Sequence, residues 1–261
     1  MRVGQNPAKS IDNVPQPAKV TIAVVTYIPY LSGYYKDALD VLKISLESIW
    51  ANTKTPYDLM VFDNASCEVV REYLVEAHNQ ERLQYLILSD KNIGKAGAWN
   101  LIFSGAPGEI IAFGDSDIYY YPGWLSTLLK VLDLFPEAGM VTGMPMWSPD
   151  EFSTSTIKWS EDNPEVRLEH GKLLTWEDYW RHSCSLGTPI EKAREHFASC
   201  QDYRIEYTGE TFFVAAGHFQ FVARKQILQC VLPIPSKRPM GQVRLLDIVL
   251  NERGYLRLST P

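Results

Sequence analysis

Two aspartates two residues apart, Asp115 and Asp117, follow the short apolar run 110–113 and a single glycine, Gly114. A run of that length without helical spacing, opened by Pro107-Gly108, predicts a strand buried on both faces, as in the middle of a parallel sheet. Extended chain through the pair would point both carboxylates the same way, their Cα atoms roughly 6–7 Å apart. Like charges so placed repel unless a cation sits between them, and a hard divalent ion with oxygen ligands serves that purpose. Asp-x-Asp alone is also common in solvated loops and helix caps. An EF-hand is excluded, because that loop wants Gly at its sixth position and Glu at its twelfth. Counted from Asp115, those places hold Tyr120 and Ser126. Position favours the ligand-binding alternative: open α/β sheets bind ligands beyond the carboxyl ends of their strands.

The elements that must position this pair can be read along the chain. Val20–Thr26 is rich in β-branched residues and predicts a central first strand, ended by Pro29. Leu39, Leu42, Leu46 and Ile49 recur at three- and four-residue steps and predict an amphipathic helix over 35–52. A second strand is expected at 60–62. The polar cluster Asp63-Asn64-Ala65-Ser66 then suits a turn and the N-cap of a helix over 68–78. A third strand at 85–88, a helix from about 92 to 104, a helix from Trp124 stopped by Pro136, and a strand at 139–142 complete the pattern. Strand–helix alternation with short connections implies right-handed crossovers and a parallel sheet. The first half therefore reads as an α/β unit over 19–144, after a polar, proline-containing lead over 1–18.

The second half, 145–261, is less regular. Helical patches fall near 175–183 and 189–199, strands over 204–213 and 218–222, and a short helix over 224–230. A helix over 245–253 ends at Gly254, and a closing strand covers 255–258. No internal repeat or low-complexity stretch is visible. The 261 residues, 46% of them apolar, can bury a substantial core. A net charge of −6 argues against a nucleic-acid partner, which would need a basic stripe. No apolar run reaches a membrane span, and the N-terminus lacks a secretory pattern. The four cysteines, Cys67, Cys184, Cys200 and Cys230, form no Cys-x-x-Cys pair and fit free thiols in a reducing compartment. The expectation is a cytoplasmic protein, with peripheral membrane contact left open and no basic amphipathic surface to mark it.

With its motifs in this order, the chain resembles the family 2-like glycosyltransferases of the GT-A fold. The resemblance covers 20–144 well and is thinner over 208–258. Val20–Thr26 with Tyr27 is similar to the family's opening strand, and Phe62-Asp63-Asn64-Ala65-Ser66 to its Val-Asp-Asn-x-Ser segment. Asn92-x-Gly94-Lys95-Ala96-Gly97-x-x-Asn100 resembles the glycine-rich helix start, and Asp115-Ser116-Asp117 with Pro122-Gly123-Trp124 the Asp-x-Asp element and its trailing loop. The fold implied is a mostly parallel central sheet with helices on both faces and an acceptor-side C-terminal half. The function implied is metal-dependent transfer of a sugar, with inversion, from a nucleoside-diphosphate donor to an acceptor hydroxyl. A UDP-sugar is favoured, with Mn2+ or Mg2+ as the metal, and the acceptor is a saccharide, a lipid-linked group or a protein.

The resemblance also implies roles. Thr26 and Tyr27 would line the nucleoside pocket, and Asp63 would bond base or ribose; its alternative is a turn carboxylate. Gly94 would let backbone approach the ligand, and Lys95 would face the diphosphate near a helix terminus. Gly97 and Asn100 have structural alternatives. Asp115 and Ser116 would contact the donor, and Asp115 with Asp117 the metal. The base that takes the acceptor's proton is an acidic residue before the late helix in the family. Here Gln242 and Val243 occupy the places of its acidic pair, and Asp247 is the nearest carboxylate, with Glu210 and Asp202 as rivals. His218 would touch sugar or metal, or simply pack. Trp147, Trp159, Trp176 and Trp180 would form an acceptor surface or part of the core. A sugar-nucleotide-binding protein without catalysis is the second expectation. A sugar-phosphate nucleotidyltransferase is a third, though it would carry a glycine-rich basic loop after the first strand. A dinucleotide enzyme would want Gly-x-Gly-x-x-Gly there, and none is present.

Overall fold

The computed structural model describes residues 3–261; Met1 and Arg2, the start of the expected lead, lie outside the described residues. Strand β1 (Val20–Thr26) is the hub, because its β-branched side chains are buried on both faces. It pairs in parallel with β2 (Tyr57–Asn64) on one side and β4 (Ile110–Asp115) on the other. Helix α1 (Ala38–Asn52) makes the first crossover and buries Leu42, Leu46 and Ile49, the apolar stripe expected from its spacing. Helix α2 (Glu68–Asn79) leads on to β3 (Tyr85–Ser89), parallel to β2 at the sheet edge. Helix α3 (Gly94–Gly105) then returns on the opposite face to β4. The order of connection thus reverses between β1 and β4, and the carboxyl ends of these strands open onto a crevice suited to ligands.

Beyond β4 the path departs from simple alternation. Helix α4 (Trp124–Leu134) leads to β5 (Ala138–Thr142), yet β5 does not lie beside β4. A later strand, β9 (Gln220–Arg224), runs antiparallel between them. Residues 145–219 carry α5 (Thr154–Asp162), β6 (Arg167–Gly171), α6 (Trp176–Ser185), α7 (Ile190–Ser199), β7 (Asp202–Tyr207) and β8 (Glu210–Phe213). After β9 come α8 (Lys225–Gln229), α9 (Arg244–Glu252) and β10 (Leu256–Ser259), which is parallel to β5. Among the described residues, ten strands form one sheet in the order β3-β2-β1-β4-β9-β5-β10-β8-β7-β6.

Three details differ from the expected elements. The run 204–213 is two strands, β7 and β8, joined at Thr208-Gly209, where both residues have positive φ and make the tight turn of a two-residue hairpin. Helix α5 and strand β6 carry little apolar periodicity. β6 is an edge strand, held by its ladder to β7 and by Arg204 donating to Glu169. Strand β4 also runs two residues further than its apolar run and includes Asp115.

Two apolar layers sandwich the sheet. Val20, Ile22 and Val24 face α1, α2 and α4, while Ala23, Met60 and Phe62 face Trp99, Ile102 and Phe103 of α3 and Leu246 and Leu250 of α9. No helix among the described residues is long and apolar enough to cross a membrane.

Candidate active site

The crevice is built from the strand ends upward. Thr26 closes β1 with its hydroxyl buried and without a partner, and Tyr27 follows it, partly exposed and edge-on to Tyr35. In the register of the sheet Thr26 stands beside Asp63. Asp63 is fully buried, and its carboxylate accepts from the Ser66 amide at 3.1 Å and from Arg71 Nε at 3.2 Å. It therefore holds a turn in which Ala65 takes a φ of 72° and from which α2 departs. Its neighbour Asn64 accepts from the Ile93 amide and donates to Asn92, so the end of β2 also fixes the entry to α3.

At that entry Gly94 adopts a φ of 76°, and a Cβ there would lie 2.6 Å from Ser236 Oγ and 3.0 Å from the Arg238 carbonyl. Only glycine accommodates both constraints. The Gly94 amide donates to Asn92 and the Lys95 amide to the Pro239 carbonyl. The first amides of α3 are thus bonded within the chain, and the part of this element that faces the crevice is the Lys95 ammonium.

Lys95 Nζ lies 2.6 Å from Asp115 Oδ1 and 2.7 Å from Oδ2, and donates to the His218 carbonyl at 3.1 Å. Burial pushes the Asp115 carboxyl up, the Lys95 ammonium pulls it down, and the Asp117 charge pushes it up again; the net direction is upward. The strand ends at Asp115, and Ser116 and Asp117 form a turn, with Asp117 exposed. The alternation expected for an extended Asp-x-Asp therefore does not hold through the third residue: the chain bends after Asp115. The donor set, two carboxylates with surplus negative charge, fits a hard divalent cation. Among the described residues no group of three or more His, Cys, Asp or Glu gathers to hold a metal, so further ligands would come from outside the chain.

A cavity of about 650 Å³ opens beside this pair and contains Lys95, Asp115, His218, Arg244, Asp247 and Arg257 on its polar side. Asp247 sits in the first turn of α9, where a carboxylate complements the helix dipole, and is 4% exposed. Its Oδ2 lies 2.8 Å from His218 Nε2 and its Oδ1 2.9 Å from Arg257 Nη2. Both contacts are at ion-pair distance but off the hydrogen-bond line, so His218 Nε2 and Asp247 Oδ1 have no aligned partner. Arg257, buried in β10, also donates to the carbonyls of Ala216 and Phe152. Burial pushes its guanidinium down and Asp247 pulls it back up.

The two rivals of Asp247 lie elsewhere. Asp202 accepts from the amides of Leu173 and Leu174, and Glu210 is exposed at the start of β8; neither lines the cavity. Of the four tryptophans, Trp147 lines the cavity, with Tyr179, His182 and Phe219 nearby in the same wall. Trp159 packs against Phe135 in the core, and Trp176 and Trp180 stack on each other along α6. Asn100 is structural, exchanging hydrogen bonds with the backbone of Ile234. Gly97 lies against Ile93. Arg257 was not expected at the site. Its only signal is a charged residue between two leucines, Leu256 and Leu258, in the expected closing strand.

A family model described as glycosyl transferase family 2 matches residues 34–189. An uncharacterized glycosyltransferase of Nostoc sp. is 26% identical over 135 residues, 50% of this chain and 42% of that protein. One of Rickettsia bellii is 32% identical over 89 residues, 34% of this chain and 13% of that protein. The chain thus spans less than half the length of these relatives. Among solved structures, the mannosyltransferase PcManGT from Pyrobaculum calidifontis, in complex with GDP-Man and Mn2+, has a TM-score of 0.56 at 16% identity. That match covers 96% of this chain and 57% of the other. S. aureus TarS 1-349, solved also in complex with UDP, gives 0.51 at 14% identity, over 92% of this chain and 57% of that one. At these identities the likeness is one of fold, and the fold is the α/β, GT-A type expected above.

Proposed function

The chain belongs to glycosyl transferase family 2, and on that premise we propose that it moves a sugar from a nucleoside-diphosphate donor to an acceptor hydroxyl, with inversion. The observation that carries this reading is that Asp115, Lys95 and Asp247 meet in one cavity at the carboxyl end of β4. The donor's nucleoside would lie over Thr26, Tyr27 and the turn that Asp63 holds through Ser66 and Arg71. The diphosphate would lie between the Gly94–Lys95 corner and the Asp115-Ser116-Asp117 turn. Asp115 and Asp117 would hold Mn2+ or Mg2+, which when bound supplies Lewis-acid stabilisation to the departing diphosphate.

Each of the chain's own groups then has one task. Lys95 would pair with diphosphate oxygens as negative charge develops there, with Asp115 free to hold the metal. Asp247 belongs to the unit that takes the acceptor's proton as its oxygen attacks the anomeric carbon from the face opposite the leaving group. The aromatic wall around Trp147 offers the acceptor a flat apolar surface and limits access of water. A UDP-sugar is favoured by family habit, and the neighbours solved with UDP and with GDP-Man make both bases worth testing.

Incubation with UDP- and GDP-hexoses and Mn2+ tests the reading: donor cleavage that stops with chelator and with Asp247→Asn supports it. Tight nucleotide binding with no cleavage of any donor would favour the second reading, a sugar-nucleotide-binding protein. The near-complete burial of Asp247 is the observation on that side.

A further inference from the structure

Asp247 is the carboxylate at the right place, but it is the more deeply buried member of its pair with His218. It is 4% exposed: Oδ1 is buried against Arg257, and Oδ2 lies 2.8 Å from His218 Nε2. The imidazole of His218, in contrast, lines the cavity with 21% of its side chain exposed. Its Nε2 is the buried nitrogen, against Asp247, while Nδ1 makes no hydrogen bond within the chain and is not among the buried orphan atoms. Trp99 meets the ring edge-on at 5.7 Å, and Lys95 holds the His218 backbone by donating to its carbonyl at 3.1 Å.

We propose that His218, not Asp247, is the group that accepts the acceptor's proton, and that Asp247 is its positioning residue, braced by Arg257. This rests on the glycosyltransferase reading above. An Nε2–H directed at Asp247 leaves the lone pair on Nδ1, facing the cavity, and the imidazolium formed on proton transfer is stabilised by the same carboxylate. The off-line geometry is what an unliganded site often shows before substrate tightens it. In the step, the acceptor O–H proton moves to His218 Nδ1 while the acceptor oxygen bonds to the anomeric carbon. The bond from that carbon to the diphosphate oxygen breaks, and the nucleoside diphosphate leaves with the electron pair. His218 later returns the proton to solvent.

The same pair explains the departure at Gln242 and Val243, where the resembled family has its acidic residues. A carboxylate one helical turn later reaches the site through an imidazole supplied by the segment before β9.

The test uses hydrolysis of UDP-hexoses with Mn2+, water standing in for the acceptor, together with calorimetric UDP binding. His218→Ala should lower turnover by about 10²-fold or more while UDP affinity stays within about threefold. Added imidazole should then restore at least about tenfold of the lost rate, the cavity being large enough to admit it. Asp247→Asn should also lose turnover, without imidazole rescue. Turnover in His218→Ala within about threefold of the unaltered protein, with Asp247→Asn inactive, would overturn the proposal in favour of the carboxylate. Loss of Mn2+-dependent UDP binding in His218→Ala would overturn it in favour of a donor-site role. If the unaltered protein binds no UDP or GDP, the glycosyltransferase reading itself fails, and this inference with it.

Discussion

Lys95 and Asp115 form the closest ion pair of the crevice, the ammonium 2.6 Å and 2.7 Å from the two carboxylate oxygens. The ammonium stands where a divalent cation would neutralise the same group, and it is held only by the Asp115 carboxylate and the His218 carbonyl, so it can move without unfolding α3. Replacing it with a neutral side chain removes the charge offered to the diphosphate. Lys95→Met should weaken UDP binding about tenfold, or about 1.4 kcal/mol, as measured by calorimetry with Mn2+ present. Unchanged affinity would show that Lys95 serves only to pair Asp115.

Just before the bend that carries Asp117, Gly114 packs tightly against Tyr120. A Cβ at Gly114 would lie 1.7 Å from the Tyr120 hydroxyl, which is itself buried without a hydrogen-bond partner. Burial and the charges of Asp115 and Asp117 push the ionisation of this phenol far up, so it stays neutral. Gly114→Ala should therefore cost about 1–3 kcal/mol in urea unfolding. Tyr120→Phe should be neutral or slightly stabilising, because it removes an unsatisfied buried hydroxyl. Combined, the phenylalanine should recover part of the alanine's cost; an additive double variant would contradict the packing account.

Much of this arrangement could be read before the structure, and the reason is local. The β-branched run of Val20–Thr26 and the leucine spacing of α1 encode their elements in adjacent residues. So does the Asp-x-Asp pair, whose strand, bend and trailing Pro122-Gly123 lie within one short segment. The His218–Asp247–Arg257 group was not legible, because its members come from the loop before β9, from α9 and from β10. Nothing in their spacing says that three separate elements converge. The same holds for β9, which inserts between β4 and β5 by long-range pairing, and for β6, whose strand exists because β7 offers it an edge. The polar cluster at Asp63 showed the opposite problem. Both its readings, ligand contact and turn carboxylate, predict the same residues, and the structure displays the turn contacts with Ser66 and Arg71.

Arg257 is 2% exposed and has Asp247 as its counter-charge. Removing one partner of a buried pair leaves the other uncompensated. Arg257→Met should cost about 3–5 kcal/mol in urea unfolding. A loss under about 1 kcal/mol would mean that solvent reaches Asp247 far more easily than its burial implies.

Asp202 gives a pH prediction at a place remote from the chemistry. Burial raises its folded-state pKa above the ordinary aspartate value, only partly offset by the amides of Leu173 and Leu174. The unfolded chain therefore releases this proton first as pH rises. The site's contribution to stability is complete below the ordinary aspartate value and is lost as pH climbs through the raised folded-state value. Asp202→Asn keeps an acceptor for the two amides and cannot ionise. Its Tm relative to the unaltered protein should be higher at pH 7 than at pH 3.5, and a difference that is constant or reversed would contradict the assignment.

Asp115 and Asp117 are proposed to hold a cation against a nucleoside diphosphate. The most direct test is calorimetric titration of UDP and GDP into the protein with Mn2+, with chelator, and with Asp117→Ala. Binding should require the metal and disappear in the variant while the Tm is unchanged, as expected for an exposed carboxylate. Equal binding in chelator, or in Asp117→Ala, would contradict that role.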